Sequence, residues 1–348
     1  MENGFEKGQA ENVAAFEDAD NTAEVTEKAD KNPYEELFTP EEIKLIEEYA
    51  GKINVTDESV LAGFGLSVQK KAADIAAAAS LGAAGGFDSN AVGIMRELAG
   101  LIEDMESPEG EKAGILGIFK TKSGKLDELS KKYELAEPVA DEVSLALDAD
   151  KEVAATDAKV LSELYDACLN CIKELTMYIA SGKMKLTRER DVTLVKICEF
   201  AKNSGEESDV DAASDFAEMC RRFGERITSI EQTRALMMQI APRIMLVRNN
   251  CAAMREMIGE INANALSVWK RHAASALGID KVGSAVKMPG NAFDREFLRT
   301  INTEMIDFLG SVIERYGKVG EERARTEAEL RVAESELKQL LVAAANLK

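Results

Sequence analysis

The 348 residues carry 63 acidic and 43 basic side chains, a net charge of −20, with 45% hydrophobic residues, 5% aromatic residues and six prolines. Such a surface repels nucleic-acid phosphates and anionic lipids over roughly a Debye length of about 10 Å, which excludes bulk binding to either. The scarcity of aromatics and turn residues favours helices over sandwiches and barrels.

The opening stretch MENGFEKGQAENVAAFEDAD has neither a basic n-region nor an apolar h-region, so no secretory signal is read there. Residues 1–32 hold nine acids and three lysines and few bulky apolar side chains, which predicts a disordered acidic tail. Residues 33–107 form a first, Ala- and Gly-rich helical unit. It opens with TPEEIKLIEEYAG, where Thr39 is the N-cap and Pro40 sits in the first turn. The helices SVLAGFGLSVQKKAADIAAAAS and SNAVGIMRELAGLIEDM follow, separated at LGAAGG. The run Ile75–Phe87 is too short to span a bilayer.

Residues 108–204 are read as central helices. Pro138 marks a kink or break, Lys159–Ala180 is amphipathic, and Ser181–Gly182 is expected to cap it. Residues 205–348 read as a long antiparallel, coiled-coil-like helical hairpin. Its first arm carries Phe216, Cys220, Phe223, Ile227 and Ile230, then Met237, Ile240, Ile244, Val247, Cys251, Met254, Ile258, Ile261, Ala265 and Val268, in steps of three and four. After a turn within GIDKVGSAVKMPG, the second arm repeats the pattern from Leu298 to Leu347. The fold class expected is all-α, an extended helical bundle with no significant sheet.

Candidate chemistry is sparse. The pair Cys168 and Cys171 lies mid-helix on the apolar face, where two small core residues are expected rather than a redox or zinc site. Five cysteines without an export signal point to free thiols in a reducing cytoplasm. His272 is the single histidine, too few for a metal site without several other ligands. The methionines between 237 and 257 fall largely on the seam and read as packing. FKTKSGKLDE has Phe119 where a phosphate loop needs its first glycine. No catalytic residue, cofactor or metal site is expected.

One stretch stands apart. Residues 221–271 hold nine basic and four acidic side chains inside a chain of −20. Within it, QIAPRIMLVRNN places Pro242 in a helical pattern, with Gln239, Arg243 and Asn250 on one stripe at offsets of four and seven. This segment, with WKRHAASALGI beginning at Trp269, resembles the TelA family of toxic anion (tellurite) resistance proteins. GFGLSVQKKAADIA, VGIMRELAGLIEDM, KLDELSKKYELAEPVADEVSLAL and LSELYDACLNCIKELTMYIASGK agree with it. The five cysteines lie outside that pattern, which weighs against thiol reduction of tellurite. The resemblance implies a cytoplasmic bacterial stress or resistance protein. It directs attention to Gln239, Pro242, Arg243, Asn249, Asn250, Trp269 and Lys270 as the surface that meets a partner or an anion. Two functions are carried forward. One is a non-enzymatic helical scaffold that binds other proteins, envelope-associated ones among them, or a second copy of itself, with no nucleic acid and no membrane span. The other is a direct binder or reductant of tellurite-like oxyanions.

Overall fold

The computed structural model describes residues 38–84, 89–106, 122–279 and 294–346. The expected acidic tail lies outside them, as does most of the expected turn over 278–290. The described residues are almost all helical, with no strand among them. Three short helices come first, α1 (Pro40–Lys52), α2 (Glu58–Gly63) and α3 (Leu66–Ala84), then α4 (Ser89–Glu106). The long helix α5 (Lys122–Arg188) passes through a wide π turn (Glu189–Leu194) into α6 (Val195–Ser204). The next, α7 (Glu207–Glu260), passes through a second π turn (Ile261–Leu266) into α8 (Ser267–Ala276), and α9 (Arg295–Ala345) is the last. None is long and apolar enough to cross a membrane.

Local chemistry sets the boundaries. Thr39 caps α1 through a capping box: the Glu42 amide donates to its hydroxyl at 3.3 Å, and its own amide donates to the Glu42 carboxylate at 3.0 Å. Gly205 ends α6 in the left-handed region at φ 68°. Ser181 and Gly182, expected to cap a helix, instead lie inside α5. Gly182 is there for packing, since an added Cβ would meet Ile227 Cγ1 at 2.9 Å and Phe64 Cε1 at 3.2 Å. Pro138 does not break α5 either. Pro138 and Pro242 are both exposed, so neither ring intrudes on the core.

The chain forms two compact units, one of residues 1–82, 161–245 and 327–348, the other of residues 83–160 and 246–326. In the first, α5 and α7 run antiparallel: Lys183 pairs with Glu231, and the Cys168 thiol points at the Met237 carbonyl. Helix α3 packs on them, and its buried Gln69 donates to the Ser229 carbonyl and to the Ser229 and Thr233 hydroxyls. Gly65 turns the chain into α3 at φ 69°, against the Ile230 side chain.

In the second unit, Tyr133 and Asn262 join α5 to the α7–α8 arm, again antiparallel. Helix α9 runs alongside α5 in the same direction, because Tyr316 meets Asp150 and, seven residues further on both, Arg323 meets Asp157. The apolar core here draws Leu98 and Ile102 of α4, Val143 and Leu147 of α5, Ile258 and Trp269, and Leu309 and Val312 of α9.

The expected seam of the first arm is buried from Phe216 to Ile261. Beyond Ile261 it moves by one position. Leu266, Trp269 and Ala273 are buried, while Ala265, Val268 and His272 are only half-buried. The π turn is the cause: its wider loop takes one residue more than an α turn and rotates the following face by that residue.

Candidate functional site

Pro242 has no amide hydrogen, so the Met238 carbonyl loses its helical donor. Arg243 acts at the neighbouring position. Its Nη1 donates to the Gln239 carbonyl at 2.5 Å and its Nε to Glu329 Oε2 of α9 at 2.8 Å. One guanidinium thus supports the backbone beside the proline and ties that turn to α9. Gln239 itself is exposed, and Arg243 is half-buried.

The other candidate residues belong to the second unit. The Asn250 amide donates to Glu322 at 3.2 Å, and Asn249 accepts from Arg248 at 3.2 Å. Trp269 is buried, with its indole N–H on Asn302 Oδ1 at 3.0 Å. Lys270 pairs with Asp141, and its carbonyl accepts from the Tyr133 hydroxyl at 3.0 Å. The structure therefore joins Gln239 to Arg243, and gives Asn249, Asn250, Trp269 and Lys270 separate partners. Two further arginines of this basic stretch are also occupied. Arg221 pairs with Glu218 and Glu225, and Arg222 with Glu218 and Glu58.

Several buried polar residues escape a reading based on hydrophobic spacing. Asn302 accepts from Trp269 and donates to Glu106 at 2.9 Å. Arg323 reaches Asp157 at 3.0 Å and the Cys251 sulfur at 3.4 Å. Arg226 is 1% exposed and donates from Nε to the Phe64 carbonyl at 2.7 Å. Its two terminal nitrogens have no hydrogen-bond partner among the described residues, and burial lowers its pKa to about 10. The available signal was positional: Asn302, Arg323 and Thr326 continue the three-and-four spacing of α9 through polar side chains.

The thiols are held in their neutral form. Cys168 and Cys171 are fully buried, and burial pushes both up to about 12. Burial also raises Cys220 and Cys251. A thiol is a poor nucleophile and metal ligand compared with its thiolate. Among the described residues no three His, Cys, Asp or Glu side chains are grouped to hold a metal ion.

The profile of the toxic anion resistance protein (TelA) family matches residues 46–294. The chain belongs to the TelA family. A TelA-like protein of Staphylococcus saprophyticus is 29% identical over 194 residues, 56% of this chain and 51% of that protein. One from Staphylococcus haemolyticus is 22% identical over 346 residues, 89% of this chain and 88% of that protein. The uncharacterized protein YaaN of Bacillus subtilis is 26% identical over 72% of this chain and 73% of its own. No solved structure matches. The TelA match takes in the Pro242 segment and most of α1 to α8, and stops at Asp294, before α9, which supplies Glu322, Glu329 and Asn302.

Proposed function

We propose that this TelA-family chain is a non-enzymatic helical scaffold in toxic anion resistance or envelope stress. It acts in the cytoplasm through contacts with other proteins. The observation that carries this reading is a second, largely apolar stripe on α5, interrupted by Thr156. Leu145, Ala149, Val153, Thr156 and Val160 follow one another at steps of four, four, three and four, and every one is exposed. Such spacing places them on one side of a helix. The buried seam of the same helix runs through Val143, Leu147, Ala154 and Leu161. A helix with a core face and a separate outward apolar face has the form of a surface that receives another chain. Gln239, Pro242 and Arg243, all on the first unit, make a second contact surface in this proposal. Asn249, Asn250 and Lys270 are separate candidates on the second unit, where Trp269 is buried. Buried, protonated thiols favour this scaffold over a reductant of oxyanions.

The test replaces Leu145, Val153 and Val160 together by Gln and compares tellurite resistance at matched protein levels. Resistance is expected to fall while helicity and Tm stay nearly unchanged, because these side chains are exposed. Full resistance in the triple variant overturns the contact reading of this face.

A further inference from the structure

The end of the first unit holds a groove that the scaffold reading does not use. Helix α6 and the first four turns of α7 line an open groove of about 490 Å³ beside Thr56. Ile197 and Phe200 of α6 and Asp209, Ala212, Asp215, Phe216 and Met219 of α7 line it, with Phe216 buried, Asp209 half-buried and Asp215 exposed. Phe200 is 64% exposed, although it is a large aromatic that water disfavours. Val192, Val195 and Val210, close by in sequence, are exposed as well. The lining is mainly apolar, with Thr56, Asp209 and Asp215 as its polar residues.

The charge beside the groove selects its occupant. Residues 205–218 contain six acids and no base. Glu218 is taken by Arg221 and Arg222, whereas Asp209 and Asp215 form no ion pair among the described residues. Two carboxylates flanking an apolar cleft favour a cationic ligand with an apolar anchor and reject an anionic one. In a chain of −20 the long-range field acts in the same direction. An anionic lipid surface is repelled by the same charges.

We infer that the α6–α7 groove docks a short basic amphipathic segment of a partner protein, with bulky apolar side chains over Phe216 and Met219 and Lys or Arg opposite Asp209 and Asp215. The segment uses the helix-in-groove mode, with anchors three or four residues apart. This deepens the scaffold proposal by naming one partner class, and it rests on that proposal.

The probe is a random twelve-residue peptide library displayed on phage and selected on the full chain. Ala212, which is exposed and lines the groove, is replaced by Trp to fill it, and D209N/D215N removes the two carboxylate charges. Circular dichroism establishes that each variant is folded. The expected pool carries Leu, Phe or Trp flanked by Lys or Arg. Its peptides bind at least tenfold more weakly to A212W and severalfold more weakly to D209N/D215N, and they weaken as salt rises. The inference is overturned if no binders emerge, if the pool is acidic or neutral, or if A212W binds equally. It is also overturned if light scattering shows self-association that A212W abolishes, since the occupant is then a second copy. The two proposals fail separately. Loss of resistance in the α5 stripe variant with no groove peptide sinks only the groove. Groove peptides as expected, with full resistance in the stripe variant, sink only the stripe.

Discussion

Arg323 donates to Asp157 at 3.0 Å from a position where its own side chain is 4% exposed and its partner's is 26% exposed. The pair is thus asymmetric, a buried cation held by a carboxylate that still meets water. Removing the cation leaves Asp157 partly solvated but opens a large space around Cys251. Arg323→Ala is expected to destabilise by about 3 kcal/mol in urea unfolding, the usual cost of breaking a buried pair from one side. Arg323→Met with Asp157→Ala should recover most of that loss, since an apolar side chain of similar length needs no counter-ion. If the double variant is no better than Arg323→Ala, the loss is not the loss of a charge pair.

Two glycine substitutions should have opposite signs. Gly182→Ala places a methyl 2.9 Å from Ile227 Cγ1. Overpacking of that kind costs about 1–3 kcal/mol, more than the roughly 1 kcal/mol that Ala gains over Gly in a helix. Gly317 in α9 is exposed with nothing within 4 Å, so Gly317→Ala should stabilise by about 0.5–1 kcal/mol. Thermal melts of the two variants decide this, and a Tm raised by Gly182→Ala contradicts the close contact.

The thiols give a pH signature. Cys168 and Cys171 have folded values near 12 against an ordinary value near 9. Between those values the folded chain keeps protons that the unfolded chain loses, so stability falls as pH rises through this window. Below about pH 9 their contribution is fully present. Replacing both by Ala should flatten the decline, cost about 1 kcal/mol or more through lost packing, and leave resistance intact. Iodoacetamide at pH 7.5 is expected to label the half-buried Cys198 first in the native protein.

Arg243→Ala and Asn250→Ala test the Pro242 surface. Their ionic and amide contacts to Glu329 and Glu322 are partly solvated, so each variant should lose no more than about 1 kcal/mol of stability. If the guanidinium meets a partner, Arg243→Ala abolishes resistance while Glu329→Gln, which breaks the same intramolecular pair, leaves it intact. Equal effects from the two variants assign Arg243 to the support of the backbone beside Pro242 alone.

Much of the architecture was legible because one physical pattern runs through it. Apolar residues at steps of three and four located the buried face from Phe216 to Ile261 without reference to any partner. Asn302, Arg323 and Arg226 were not legible, because hydrophobic spacing assigns polar side chains outward. Only contacts with residues remote in sequence, such as Asp157 and Phe64, reveal them inside. Gly182 was misread for a related reason: a cap and a close helix contact use the same amino acid, and Ile227 decides between them. At the Pro242 segment, the stripe of Gln239, Arg243 and Asn250 was readable from periodicity. Glu322 and Glu329, on a helix more than seventy residues away, were not.

The π turn at Ile261–Leu266 has a bearing on how the chain can change over time. A helix normally resists gain or loss of a single residue, because every later side chain then points about 100° away from its place. Here the surplus residue is confined to one widened loop, and Leu266, Trp269 and Ala273 still reach the core. The same window can in principle release a residue by closing to an ordinary α turn. Length differences of one residue between relatives should therefore collect within 261–266, with the indole of Trp269 held on Asn302 on either side of the change. An alignment that forbids a gap there would match the outer face of one chain to the inner face of another.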